Sequence, residues 1–106
     1  MNTSKLIEAL NNCIISCNTC FDACLNEKNV KMMVNCIRND RACADVCSTT
    51  VNLLSSNYPD AKGFVKSCQE ICAKCASECE QHEHDHCKKC AESCRKCEEA
   101  CKAYLA

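Results

Sequence analysis

Sixteen of the 106 residues are cysteine, and their spacing is the chemistry the sequence advertises first. Cys87, Cys90, Cys94, Cys97 and Cys101 are separated by steps of 3, 4, 3 and 4. Cys13, Cys17, Cys20 and Cys24 step by 4, 3 and 4, and so do Cys68, Cys72, Cys75 and Cys79. Cys36, Cys43 and Cys47 step by 7 and 4, with Asp40 in the vacant slot. This is the spacing of one face of an α-helix, the a and d positions of a heptad. A buried cysteine can act as a small hydrophobe. Sixteen at seam positions are too many for that role, because Leu, Ile or Val would bury more apolar area without the oxidation hazard.

Cross-linking is poorly served along a seam. Helical neighbours at i and i+4 hold their Cβ atoms ~5–6 Å apart, whereas a disulfide wants ~3.5–4.5 Å. Cross-helix disulfides stay open. A bridging metal ion removes the distance problem by adding two metal–sulfur bonds of ~2.3 Å each, with zinc as a guide. Thiolates are soft and select Cu(I), Zn(II) or iron–sulfur clusters. Charge separates these. Sixteen buried thiolates are prohibitive unless compensated, and a monovalent soft cation at about one per thiolate neutralises them. Zinc on four thiolates leaves two excess negative charges. The apo state is tolerable because buried thiols stay protonated, and loading then releases protons. Multiple Cu(I) ions per chain are the best fit. A zinc or iron–sulfur bundle, and a disulfide-stapled or thiol-redox helical protein, remain as alternatives.

Softer and intermediate ligands accompany the thiols. His82, His84, His86, Met32 and Met33 could pass ions inward, although histidines in a turn are often just solvated and methionines often fill a core. Asp40 is the anomaly in its seam. It is expected to pair with Arg38, Arg41 or a Lys, with weak ligation of metal as the other reading. No carboxylate pair, nucleophile–base set or phosphate loop is present, so an enzyme is not expected.

These residues need helices to hold them. Helix 1 is predicted from Thr3 or Ser4 to Asn26. A polar turn at Asn26–Asn29 provides a cap, and helix 2 runs on to about Ser55. The segment Ser55–Asp60, with the single Pro, breaks the chain. Helix 3 runs from about Asp60 to Glu80. Residues 81–85 form a turn with Asp85 as N-cap, and helix 4 runs from His86 to about Tyr104. Four helices with short connections predict an all-α, antiparallel up-down-up-down four-helix bundle with a cysteine-lined core. Threading places Cys24, Cys79, Cys87, Met32, Met33 and the three histidines at one end. Leu6, Leu10, Leu53, Leu54, Phe64, Val65, Tyr104 and Leu105 fall at the other. A second apolar row, Ile7, Ile14 and Phe21 with Val30, Ile37, Ala44 and Val51, reads as packing inside the bundle, or alternatively as an oligomer contact.

Length and composition bound the rest. A chain of this length is one domain, 1–106. Two Phe, two Tyr and no Trp make a light core, and one Gly and one Pro argue against a β framework. A net charge of −1 without a basic block excludes nucleic acid. No stretch approaches a transmembrane length, and no secretory leader is visible between Met1 and Cys13. A reducing cytoplasmic setting is expected, where free thiols persist.

The chain resembles the cytosolic copper storage proteins, which are four-helix bundles lined with cysteine. The resemblance rests on Cys36-Ile-Arg-Asn-Asp-Arg-Ala-Cys43-Ala-Asp-Val-Cys47, on His82-Glu-His84-Asp-His86-Cys87, and on the CxxxCxxC ladders of helices 1 and 3. It implies Cu(I) stored on thiolates within each bundle, entry at the histidine-bearing end, and assembly into a homotetramer. A store of this kind would exchange ions with a copper-donating or copper-accepting protein.

Overall fold

The computed structural model describes residues 3–106 and consists of four helices. They are α1 (Thr3–Leu25), α2 (Val34–Ser55), α3 (Lys62–Cys79) and α4 (Asp85–Leu105), with a short 3-10 turn at Val30–Met33. Each helix packs its backbone against two neighbours, in the cyclic order α1–α2–α3–α4, and among the described residues the diagonal pairs meet only through side chains in the core. Short connections and this cyclic order give the antiparallel bundle that the seams require. The rod measures 45 × 19 × 18 Å.

Every seam turns inward. All sixteen cysteines are fully buried, together with Leu6, Leu10, Met33, Leu54, Ala61 and Val65. The second apolar row settles against this core: Ala44 is buried, and Ile7, Ile14, Ile37 and Val51 pack on it half-buried. Phe21 is half-buried beside the guanidinium of Arg41, 5.3 Å from its ring centroid. Val30 departs from the row, because it sits in the 3-10 turn and is exposed.

The turns show where local chemistry overrides pattern. At the end of α2, Asn57 adopts a left-handed φ of 56°. The Tyr58 amide donates to the Leu53 carbonyl and the Asn57 amide to the Leu54 carbonyl. This is a Schellman motif with Asn in the usual Gly place and Pro59 soon after it. α3 starts at Lys62, two residues beyond the expected Asp60, behind Ala61, and no side chain caps it. Asn29 likewise makes no side-chain cap. Asp85 is not an N-cap either. His84 takes that position with extended backbone, and its carbonyl receives the amides of Cys87 and Lys88. Asp85 instead lies in the first turn, where a negative charge suits the helix dipole.

Candidate metal centre

The interior is a continuous run of sulfur. At the lower end the Sγ atoms of Cys47 and Cys68 are 3.4 Å apart, and Cys72 lies 3.8 Å from Cys47 and 3.9 Å from Cys68. The path climbs through Cys72–Cys43, Cys43–Cys13 and Cys13–Cys94, each 3.7 Å. Cys17 then lies 3.8 Å from both Cys94 and Cys90. Above Asp40, Cys36 approaches Cys79 at 3.6 Å and Cys20 at 3.9 Å, and Cys20 reaches Cys87 at 3.9 Å and Cys24 at 3.8 Å. All sixteen are free thiols.

These separations suit shared ions better than direct bonds. Three sulfurs ~2.3 Å from one ion would lie ~4.0 Å apart, and four in a tetrahedron ~3.8 Å apart. Ligand atoms of several quartets lie within 4.8 Å of one another: Cys13, Cys47, Cys72 and Cys97; Cys13, Cys17, Cys43 and Cys94; Cys17, Cys75, Cys90 and Cys94. Two more carry a different ligand each: Cys20, Asp40, Cys79 and Cys90, and Cys20, Cys24, Cys87 and His86. Each quartet shares at least one residue with the next, so a thiolate here would bridge neighbouring ions. Cys101 closes the lower end through Cys68 and Cys97.

The sulfurs also set one another's acidity. Hydrogen bonds from Cys17, Cys43, Cys47 and Cys72 draw the Cys13 thiol down. The Cys17, Cys47, Cys72 and Cys94 thiols are pushed up, first by Cys13 and also by burial. Burial, followed by the charge of Cys36, pushes Cys87 up to about 12. Cys36, Cys43, Cys68, Cys75 and Cys90 are drawn down like Cys13 by neighbouring thiols, while burial opposes the loss of a proton at every one of them.

Asp40 corrects the sequence expectation. It is fully buried, and among the described residues no Arg or Lys pairs with it. Arg41 turns outward to Asp45 and Asn18. Asp40 Oδ1 instead accepts from the thiols of Cys75 and Cys90, both at 3.3 Å, and of Cys79 at 3.8 Å; Cys36 lies 4.0 Å from Oδ2. Burial, with the nearby Cys90 and Cys75, pushes its carboxyl up to about 10.

The histidines gather where expected, with unequal roles. His86 reaches the sulfurs: its Nδ1 is 3.3 Å from Cys20 Sγ and 3.6 Å from Cys87 Sγ. His84 stacks on His86 with ring centroids 5.3 Å apart and planes 5° from parallel. His82 stands aside, with Nε2 2.9 Å from Glu78. Met33 is 2% exposed and Met32 68%, so the two methionines point opposite ways. Both border a cleft of about 690 Å³ together with His82, His84 and Glu27. Glu27 was not a candidate from the sequence. Its Oε2 is 2.9 Å from His86 Nε2 and 3.4 Å from His84 Nδ1. The His86 hydrogen bond, opposed in part by burial, holds its carboxyl below the usual range. The one available signal was its place in the turn that faces the histidine turn across the end of the bundle.

A family model described as copper storage protein matches residues 1–106. The chain belongs to the copper storage protein family. That family is one of storage proteins rather than enzymes. The chain is 41% identical over 87 residues to the uncharacterized cysteine-rich protein YhjQ of Bacillus subtilis (strain 168), covering 82% of this chain and 81% of that protein. It is similar to the Cu(I)-bound copper storage protein BsCsp3, with a TM-score of 0.92 and 40% identity over 95% of each chain. It is also similar to a cytosolic copper storage protein from Streptomyces lividans holding five coppers, with a TM-score of 0.91 and 40% identity over 96% of this chain and 90% of that one.

Proposed function

We propose that this chain is a single-domain store for many Cu(I) ions, held by the sixteen seam cysteines, Cys13 through Cys101. The observation that carries this reading is the unbroken series of overlapping buried quartets, sulfur throughout except where Asp40 and His86 enter. Edges near 3.8 Å would also suit zinc, but shared corners and near-zero net charge favour a monovalent ion at about one per thiolate. The relatives support it: the Streptomyces lividans protein is also solved with ten copper equivalents. Asp40 and His86 complete two otherwise all-sulfur quartets and are read as ligands there. Ions enter at the end that carries His82, His84, Met32 and Met33. We place the protein in the cytoplasm, as the name of the Streptomyces relative does for that protein. Family resemblance suggests a homotetramer that trades ions with a copper-donating or copper-accepting protein. No described helix is long and apolar enough to cross a membrane.

Titration of reduced apo-protein with Cu(I) against a competing chelator tests the reading, with far-UV circular dichroism alongside. Uptake should continue to a number of equivalents that tracks the thiol count, with helicity retained. Saturation after one or two equivalents would reject the store.

A further inference from the structure

His86 is the only one of the three histidines with a ring nitrogen among the thiols, and the structure contains a cause for that orientation. A neutral imidazole carries one N–H. With the proton on Nδ1, the Nε2 lone pair would face a carboxylate oxygen of Glu27 at 2.9 Å, which is repulsive. With the proton on Nε2, it is donated to Glu27, and the Nδ1 lone pair is left facing Cys20 and Cys87. We propose that Glu27 is the positioning residue of the entry end, fixing His86 as the Nε2–H tautomer so that Nδ1 stands ready for the first soft cation. The inference rests on the Cu(I)-storage reading and assigns a role within it. Metal-binding histidines commonly donate their second N–H to a carboxylate, which orients the ring and raises its basicity.

The same Oε2 serves both rings. It lies 3.4 Å from His84 Nδ1, and His84 lies parallel over His86. One carboxylate thus borders an inner ring, to which it is hydrogen-bonded, and an outer one. Glu27 sits outside the helices, between α1 and the 3-10 turn, and its side chain is 27% exposed. Changing it alters ring orientation without opening a hole in the core.

The test uses the full chain with ¹⁵N-labelled histidine, reduced and metal-free, as wild type, Glu27→Leu and Glu27→Gln. Nitrogen shifts should report the Nε2–H form of His86 in the wild type and a mixture of forms in Glu27→Leu. In competition with a Cu(I) chelator, the first equivalents should bind ~10–100-fold more weakly to Glu27→Leu. Glu27→Gln keeps an oxygen acceptor and should restore the tautomer and most of the affinity. An unchanged tautomer together with unchanged early affinity in Glu27→Leu would overturn the assignment. Wild-type saturation at one or two equivalents would instead overturn the storage reading, and the metal-free nitrogen shifts would still judge Glu27.

Discussion

The two ends of the bundle are built from the same heptad and finish it differently. At the lower end the seam passes from sulfur to hydrocarbon: Leu6, Leu10, Leu54 and Val65 are buried below the last cysteines. Even the buried Thr50 turns its hydroxyl back to the Val46 carbonyl at 2.7 Å. At the upper end the buried hydrocarbon shrinks to Met33, and imidazole and carboxylate take over. Phe64, expected to help close the lower end, is instead exposed. The lesson is a division of labour. Packing that needs no ligand is concentrated at one end, and groups able to hold a cation are concentrated at the other.

That contrast can be broken by substitution. Leu10→Ala should cost ~2–5 kcal/mol of apo stability in denaturant unfolding, by emptying the sealed end, while Cu(I) capacity stays near the wild-type value. Loss of capacity in step with stability would show that the lower end is not merely a plug. Asp40 probes the upper half. Its carboxyl ordinarily titrates near 3.8 and is pushed up to about 10 by burial. Below pH ~4 it is neutral in both folded and unfolded chains. As pH rises from there toward 10, only the unfolded chain gains by ionising, so apo stability falls, by at most ~1.4 kcal/mol per pH unit. Asp40→Asn should flatten that decline between pH 5 and 8, and an unchanged slope would mean that Asp40 is already ionised in the fold. The smallest effect belongs to Met32→Ala at the exposed rim, which should alter stability by no more than ~0.5 kcal/mol. A larger loss there would erase the distinction between the two ends.

Much of this was legible before any coordinates. Cysteine marks its own seam, so the bundle and its sulfur-lined interior could be read from steps of three and four. The Asp40 ion pair could not survive the same geometry. Arg38 and Arg41 lie two residues before it and one after, and helical residues so spaced do not share a face. Glu27 was illegible for another reason: its partners are 57 and 59 residues away, brought close only when the two upper turns meet. The start of α4 was misplaced by one residue because the backbone carbonyl of His84, rather than a side chain, receives the first amides. Backbone acceptors leave no trace in residue type.

The scarcity of aromatic rings has an optical consequence. There is no Trp, and of the two tyrosines Tyr58 is exposed while Tyr104 packs half-buried at the far end from the histidines. The near-ultraviolet is therefore almost dark in this protein. Any sulfur-to-metal charge-transfer band should rise from a nearly flat baseline, letting the molecule serve as its own gauge of filling.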